Sequence, residues 1–255
     1  DAGFSYDIYG QIVTADGTLS GDNFSITVAA EDQDRPKAAY DTNNNKFLVV
    51  WDDFRRGNEC DIYGRIVNAD GSLSGSSFAV SDAVNDQYTA SLDYDSANDS
   101  FLVVWSDGRH AENHIYGQRV DPLGSLTGDN FVITNGPDGE YGPTVEYDSI
   151  NDRFLVAWYD FRNSCADTLA FCANADVYGQ IVNADGTMNG NDFVISTGAG
   201  EYPIYNPAVS YDIAGIEFFV LWYGHNYPSD IYGQTVSSDG ISGESDIVIS
   251  NSEGT

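Results

Sequence analysis

Three times in 255 residues an arginine stands two places after an aspartate, with a further polar residue at the end of the same loop. The sets are Asp53, Arg55 and Asp61; Asp107 and Arg109, with His114 in the third place; and Asp160, Arg162 and Asp176. A planar guanidinium with several donors can hold two carboxylates at once, so each set is expected to tie the mouth of one loop. Catalysis requires asymmetry and these positions recur, so the expected role is structural. The fourth occurrence keeps only Asp230, with Gly224 where the first aspartate would stand and no arginine.

Other chemistry is harder to place. The three histidines, His110, His114 and His225, fall in no His-Glu-x-x-His arrangement, and no Gly-x-Ser-x-Gly elbow occurs. Asp93 and Glu146 stand where equivalent segments carry Ala39 and Ser210, which makes them the acids that a polysaccharide-cleaving site would use. A wet channel lining accounts for them equally well. Calcium is the cofactor the composition suits, because hard cations take six to eight oxygen ligands. The Asx-rich segments at 41–45, 93–99 and 148–152 miss the EF-hand spacing, and Asp and Asn cap their own turns by default, so no metal ligand is assigned. Tyr141, Tyr202, Tyr205, Tyr223 and Tyr227 depart from the regular pattern and offer rigid aromatic area for a glycan or for neighbouring loops. Cys165 and Cys172 share one loop and could close a small ring, while Cys60 reads as a buried thiol or as a bond to another chain.

Charge narrows the partners. Forty acids against 10 bases give a net charge of −30, which argues against nucleic acid and against anionic membrane surfaces. No run of about 20 apolar residues is present, so no membrane insertion is expected. Residues 1–4 have neither a basic nor an apolar leader region, as in a processed secreted chain or an excised fragment. Asn23-Phe24-Ser25 and Asn98-Asp99-Ser100 are glycosylation sequons, relevant to a secreted chain.

The elements that must carry these residues are set by one phrase, Asp-Ile-Tyr-Gly-Gln, which begins at residues 7, 61, 114, 176 and 230 in variants. Spacings of 53 to 62 residues make this a repeat protein. Each unit reads as four strands. A small-residue segment such as 36–41 turns into a run apolar on both faces, 47–51, which must be buried on both sides. The Tyr-Gly strand at 61–67 follows, an Asp-Gly turn supplies the positive φ of a tight hairpin, and a half-wet strand at 78–81 ends the unit. Short strands at this spacing predict an all-β propeller, ordered in each blade from the small-residue strand inside to the half-wet strand outside. The strand glycine predicts close approach by a large group, with Trp51 over Gly64 as the expected pair.

The run Tyr40-Asp41, Phe47-Leu48-Val49-Val50-Trp51, Asp61-Ile62-Tyr63-Gly64, Asp70-Gly71 and Phe78 resembles propeller-type repeats of secreted and surface proteins of prokaryotes. The resemblance covers nearly the whole chain and is almost silent on activity, since propellers host unrelated functions. It implies an extracellular or cell-surface location. The count does not close: the Tyr-Gly hairpin occurs five times and the inner pair four. Full blades fall at about 35–81, 88–134, 142–196 and 206–250 of one domain spanning 1–255, and the hairpin at 7–27 is left over. It packs on its own ring as an incomplete fifth blade, or is donated to a neighbouring copy, or marks a fragment of a longer array. The expectation that follows is a non-catalytic structural or adhesive protein, self-associating by hairpin exchange. A glycan-binding lectin-like propeller is the alternative, then a polysaccharide hydrolase or lyase.

Overall fold

A computed structural model describes residues 5–134, 136–163, 175–196, 204–224, 230–243 and 245–250, with backbone alone at 204 and 205. Among them every regular element is a strand, and no helix is long and apolar enough to cross a membrane. A hairpin of β1 (Ile8–Val13) and β2 (Leu19–Thr27) precedes four antiparallel four-stranded sheets. Blade one is β3 (Gln33–Asp41), β4 (Lys46–Asp53), β5 (Asp61–Asn68) and β6 (Leu73–Ser81). Blade two is β7 (Gln87–Asp95), β8 (Ser100–Asp107), β9 (His114–Val120) and β10 (Leu126–Val132). Blade three is β11 (Glu140–Asp148), β12 (Arg153–Asp160), β13 (Asp176–Asn183) and β14 (Met188–Ser196). Blade four is β15 (Ile204–Asp212), β16 (Glu217–Gly224), β17 (Asp230–Ser237) and β18 (Ile247–Val248). The strand order in each blade follows the chain, as the sequence predicts. The strands β3, β7, β11 and β15 pack side by side in that order around a central channel.

Apolar faces of successive blades make the core. Leu48 and Val50 face Phe101, Val103 and Trp105; Leu102 and Val104 face Phe154, Val156 and Trp158; Leu155 and Ala157 face Phe218, Val220 and Trp222. This two-sided burial is why the second strand of each blade carries a central run, such as Phe47–Trp51, that is apolar at every position. The surplus hairpin lies on the remaining face of blade one, where Ile8 and Ile26 pack on Val49, Trp51 and Val67. It is an incomplete blade carried on its own chain.

The recurrent phrase is now accounted for residue by residue. Its isoleucine or valine is core: Ile62, Ile115 and Val177 are fully buried. In the first four copies its glycine receives a phenylalanine from the outermost strand, not a tryptophan. A Cβ on Gly117 would lie 2.8 Å from Phe131, and one on Gly10 would lie 2.6 Å from Phe24. The expected Trp51–Gly64 contact fails because Trp51 pairs with Tyr63 and Val50 with Gly64. Neighbouring residues on a strand point to opposite faces, so the indole and the glycine are on different sides. The glutamine plugs a bulge in the outermost strand: Gln118 donates to Thr127 and Gly128 carbonyls, and Gln180 to Asn189 and Gly190. Arg65 does the same for Gly75 in blade one.

Candidate functional site

The three Asp-x-Arg sets are built alike and differ from the expected two-carboxylate tie. Asp53, Asp107 and Asp160 are buried at the end of the second strand, and each accepts the indole N–H of the tryptophan two residues earlier, at 2.7, 2.7 and 3.0 Å. Arg55, Arg109 and Arg162 each grip the same carboxylate through Nε and Nη2. Each guanidinium also lies over the tyrosine of the Tyr-Gly pair, 3.9 to 4.1 Å from the ring centroids of Tyr63, Tyr116 and Tyr178. That tyrosine ring occupies the face of the guanidinium, and the Nε and Nη2 donors point at the one carboxylate; Arg162 alone ties a second, its Nη1 reaching Asp192 at 2.5 Å. The third members go elsewhere. Asp61 pairs with Arg56 at 3.2 Å, His114 with Glu140 at 2.8 Å, and Asp176 accepts from Asn163. The structural role stands and the wiring is corrected.

Cys60 is a buried free thiol, and burial pushes its pKa up. Cys165 and Cys172 lie outside the described residues, as do His225, Tyr202 and Tyr227. No group of three or more His, Cys, Asp or Glu placed to hold a metal occurs among the described residues. The turn acids Asp41, Asp95 and Asp148 instead cap their own turns, each accepting two backbone N–H groups.

The channel is where the repeat is broken. All four inner strands carry a bulge whose residue has positive φ: Arg35, Thr89, Gly142 and Asn206. These bulges line one cavity of about 450 Å³, together with Lys37, Ser91, Thr144 and Ala208 two residues further along. The bulge N–H of one blade docks on the blade before it, Thr89 on Asp52 Oδ2 at 3.0 Å and Gly142 on Ser106 Oγ at 3.1 Å.

Asp93 and Glu146 lie two residues beyond Ser91 and Thr144 on the same strand faces, about 7 Å deeper along the channel by strand geometry. Asp93 accepts the N–H of its neighbour Tyr94 at 2.8 Å and, from blade three, the N–H of Tyr147 at 2.7 Å. Glu146 Oε1 accepts the N–H of Tyr211 in blade four at 3.3 Å. Both acids thus bridge inner strands that share no ladder, as Ala39 and Ser210 do not. Burial, then the charge of Asp93, pushes Glu146 up to about 7. Burial also raises Asp93, against the lowering pull of its two backbone donors. A carboxyl that is half protonated at neutral pH, beside a second acid, can deliver a proton to a bound ligand.

No protein-family model matches the sequence, and no curated protein matches it. Solved structures do share the fold. A thermostable family-43 glycoside hydrolase superposes with a TM-score of 0.55 at 15% identity over 89% of this chain and 78% of its own. The alpha-L-arabinofuranosidase Arb93A from Fusarium graminearum gives 0.58 at 9% identity, covering 88% of this chain and 68% of the enzyme. A subtype N11 neuraminidase-like protein of A/flat-faced bat/Peru/033/2010 gives 0.55 at 10%, covering 94% and 58%. These likenesses establish the propeller. They also overturn the expectation of a chain without catalytic activity, which rested on the regularity of the repeat: a frame of this kind is one on which glycoside hydrolases are built.

Proposed function

We propose that this chain is an extracellular glycoside hydrolase whose proton donor is Glu146. The observation that carries the reading is the Asp93–Glu146 pair, two adjoining carboxyls on the channel face of inner strands, with Glu146 raised to about 7. In the reaction Glu146 gives its proton to the glycosidic oxygen, the bond from that oxygen to the anomeric carbon breaks, and water adds to the carbon and gives up its proton to restore the Glu146 carboxyl. Asp93 keeps Glu146 protonated through its charge and stabilises the positive charge growing on the sugar ring. The fold likeness to the arabinofuranosidase and family-43 structures supports the reading without fixing the sugar.

The test is turnover of a panel of plant, algal and bacterial polysaccharides by the wild-type protein and by Glu146→Gln. Glutamine keeps the acceptor for the Tyr211 N–H, so the fold is retained. Loss of a general acid lowers the rate by about 10²–10⁴-fold. Undiminished turnover in Glu146→Gln would refute the assignment, and an inert wild type across the panel would refute the activity.

A further inference from the structure

We infer that the channel mouth is a subsite for the carboxylate of an acidic sugar, so that the substrate class is a uronic-acid polysaccharide; this rests on the hydrolase reading above for its chemistry, and on separate residues for its evidence. The distribution of positive charge carries it. The chain has 10 Lys and Arg against 40 acids. Eight of the 10 stand outside the channel lining, and most have visible structural partners. Arg55, Arg56, Arg109, Arg153 and Arg162 are in ion pairs with carboxylates, and Arg65 and Lys46 bind backbone carbonyls. Arg119 lies against the Asp185-Gly186 turn. The remaining two, Arg35 and Lys37, both line the channel cavity, in the same strand of the same blade.

These two break the repeat in charge. At the bulge, the other blades have Thr89, Gly142 and Asn206, and two residues on they have Ser91, Thr144 and Ala208. All six are uncharged. Beneath Arg35 the repeat is broken again: Asp52 stands where the other blades have Ser106, Tyr159 and Tyr223. Asp52 is fully buried, and its Oδ2 accepts from Arg35 Nη1 and from the Thr89 N–H, both at 3.0 Å. The guanidinium is therefore pinned by one nitrogen, on a residue whose backbone is held in the left-handed region, and its side chain is 56% exposed. Asp52 is a positioning residue. The free edge of a pinned guanidinium matches a carboxylate in geometry, and the exposed Lys37 ammonium adds a second charge on the same wall. The net charge of −30 repels anions at long range, but over the few ångströms of this contact the local pair dominates once salt of about 0.1 M shortens the screening length to about 10 Å.

The test is calorimetric titration of the Glu146→Gln protein, at about 0.1 M salt, with a trimer of galacturonic acid, its fully methyl-esterified form, and a sulfated galactose trimer. The acid trimer is expected to bind about tenfold or more tighter than the ester, the scale of one charge-assisted contact. Lys37→Ala in the same background is expected to lose that preference and leave the ester unchanged. Lys37 makes no contact that the fold depends on, so this variant keeps the test sound if Arg35→Ala destabilises Asp52. Equal affinity for acid and ester, an undiminished preference in Lys37→Ala, or tighter binding of the sulfated trimer would each overturn the inference. Selective binding of the acid trimer with no cleavage by wild type would leave the subsite standing and refute the hydrolase reading. Cleavage of neutral glycans without selective acid binding would do the reverse.

Discussion

Glu146 is the residue whose titration should be visible from two directions. Its neutral form is the proton donor, so activity should fall as pH rises through about 7. Asp93 contributes to that value by its negative charge, so Asp93→Asn should move the alkaline limb of kcat/KM to lower pH. The same shift has a stability consequence. A carboxyl raised from 4.5 to about 7 in the folded state favours folding while protonated, so its contribution is whole below pH 4.5 and is lost as pH climbs through 7. Urea denaturation at pH 5 and pH 8 should show a smaller difference in Glu146→Gln than in wild type. A different outcome is expected at Asp107. It accepts from Trp105 and Arg109 with no exposure, so Asp107→Ala should cost about 3–5 kcal/mol by chemical denaturation, leaving a cation without its partner. Both acids could be found in the sequence, by opposite signals: Asp107 because it recurs, Glu146 because it does not. What the spacing hid was the company each keeps. The tryptophan two places before Asp107 is in plain view, but an indole N–H aimed along the strand is a product of rotamer and pleat. Arg35 broke the pattern as openly as Glu146, yet a segment taken to start at Pro36 leaves it outside the comparison.

At the scale of elements, the blades are joined by one repeated device. The phenylalanine of each outermost strand sits between the strand glycine of its own blade and the turn glycine of the next. Phe24 lies between Gly10 and Gly71, Phe78 between Gly64 and Gly124, Phe131 between Gly117 and Gly186, and Phe193 between Gly179 and Gly240. Three motifs far apart in sequence thus form one contact. Each was legible alone, the Asp-Gly as a turn and the strand glycine as a close approach, but their meeting requires the next blade to be in place. Gly117→Ala should report on it. Its Cβ would meet Phe131 at 2.8 Å, and the Gly186 turn of the next blade packs on the same ring so closely that a Cβ there would lie 3.2 Å from it, which limits how far Phe131 can move. The expected cost is about 1–3 kcal/mol by thermal or urea denaturation, and Phe131→Leu in the same background should recover part of it. Alanine at Gly117 without loss would mean that the blades slide more freely than this contact allows.

At the scale of the molecule, the odd hairpin decides how the two outer faces of the array are finished. Counting motifs showed that five Tyr-Gly hairpins face four inner pairs, and it could not say where the extra one goes, because its apolar residues suit any blade face. In this structure it lies on blade one of its own chain: Ile8 and Ile26 cover Trp51 and Val49, which are 0% and 7% exposed. The fourth blade has the complementary face. Phe219 and Leu221 correspond by register to Leu102 and Val104 of blade two, which are 1% and 0% exposed, yet both are half-buried and Ile231 beside them is 38% exposed. Identical strand types therefore carry unequal energy at the two ends of the array. Leu155→Ala, in the sealed seam between blades three and four, should cost about 2–5 kcal/mol. Leu221→Ala should cost less than half as much, since it removes less buried surface and leaves no closed cavity. Deleting residues 1–28 should behave like the first of these, because it bares Trp51 and Val49 together. It should lower the denaturation midpoint of the monomer, and an unchanged midpoint would mean that the hairpin contributes nothing to the fold it covers.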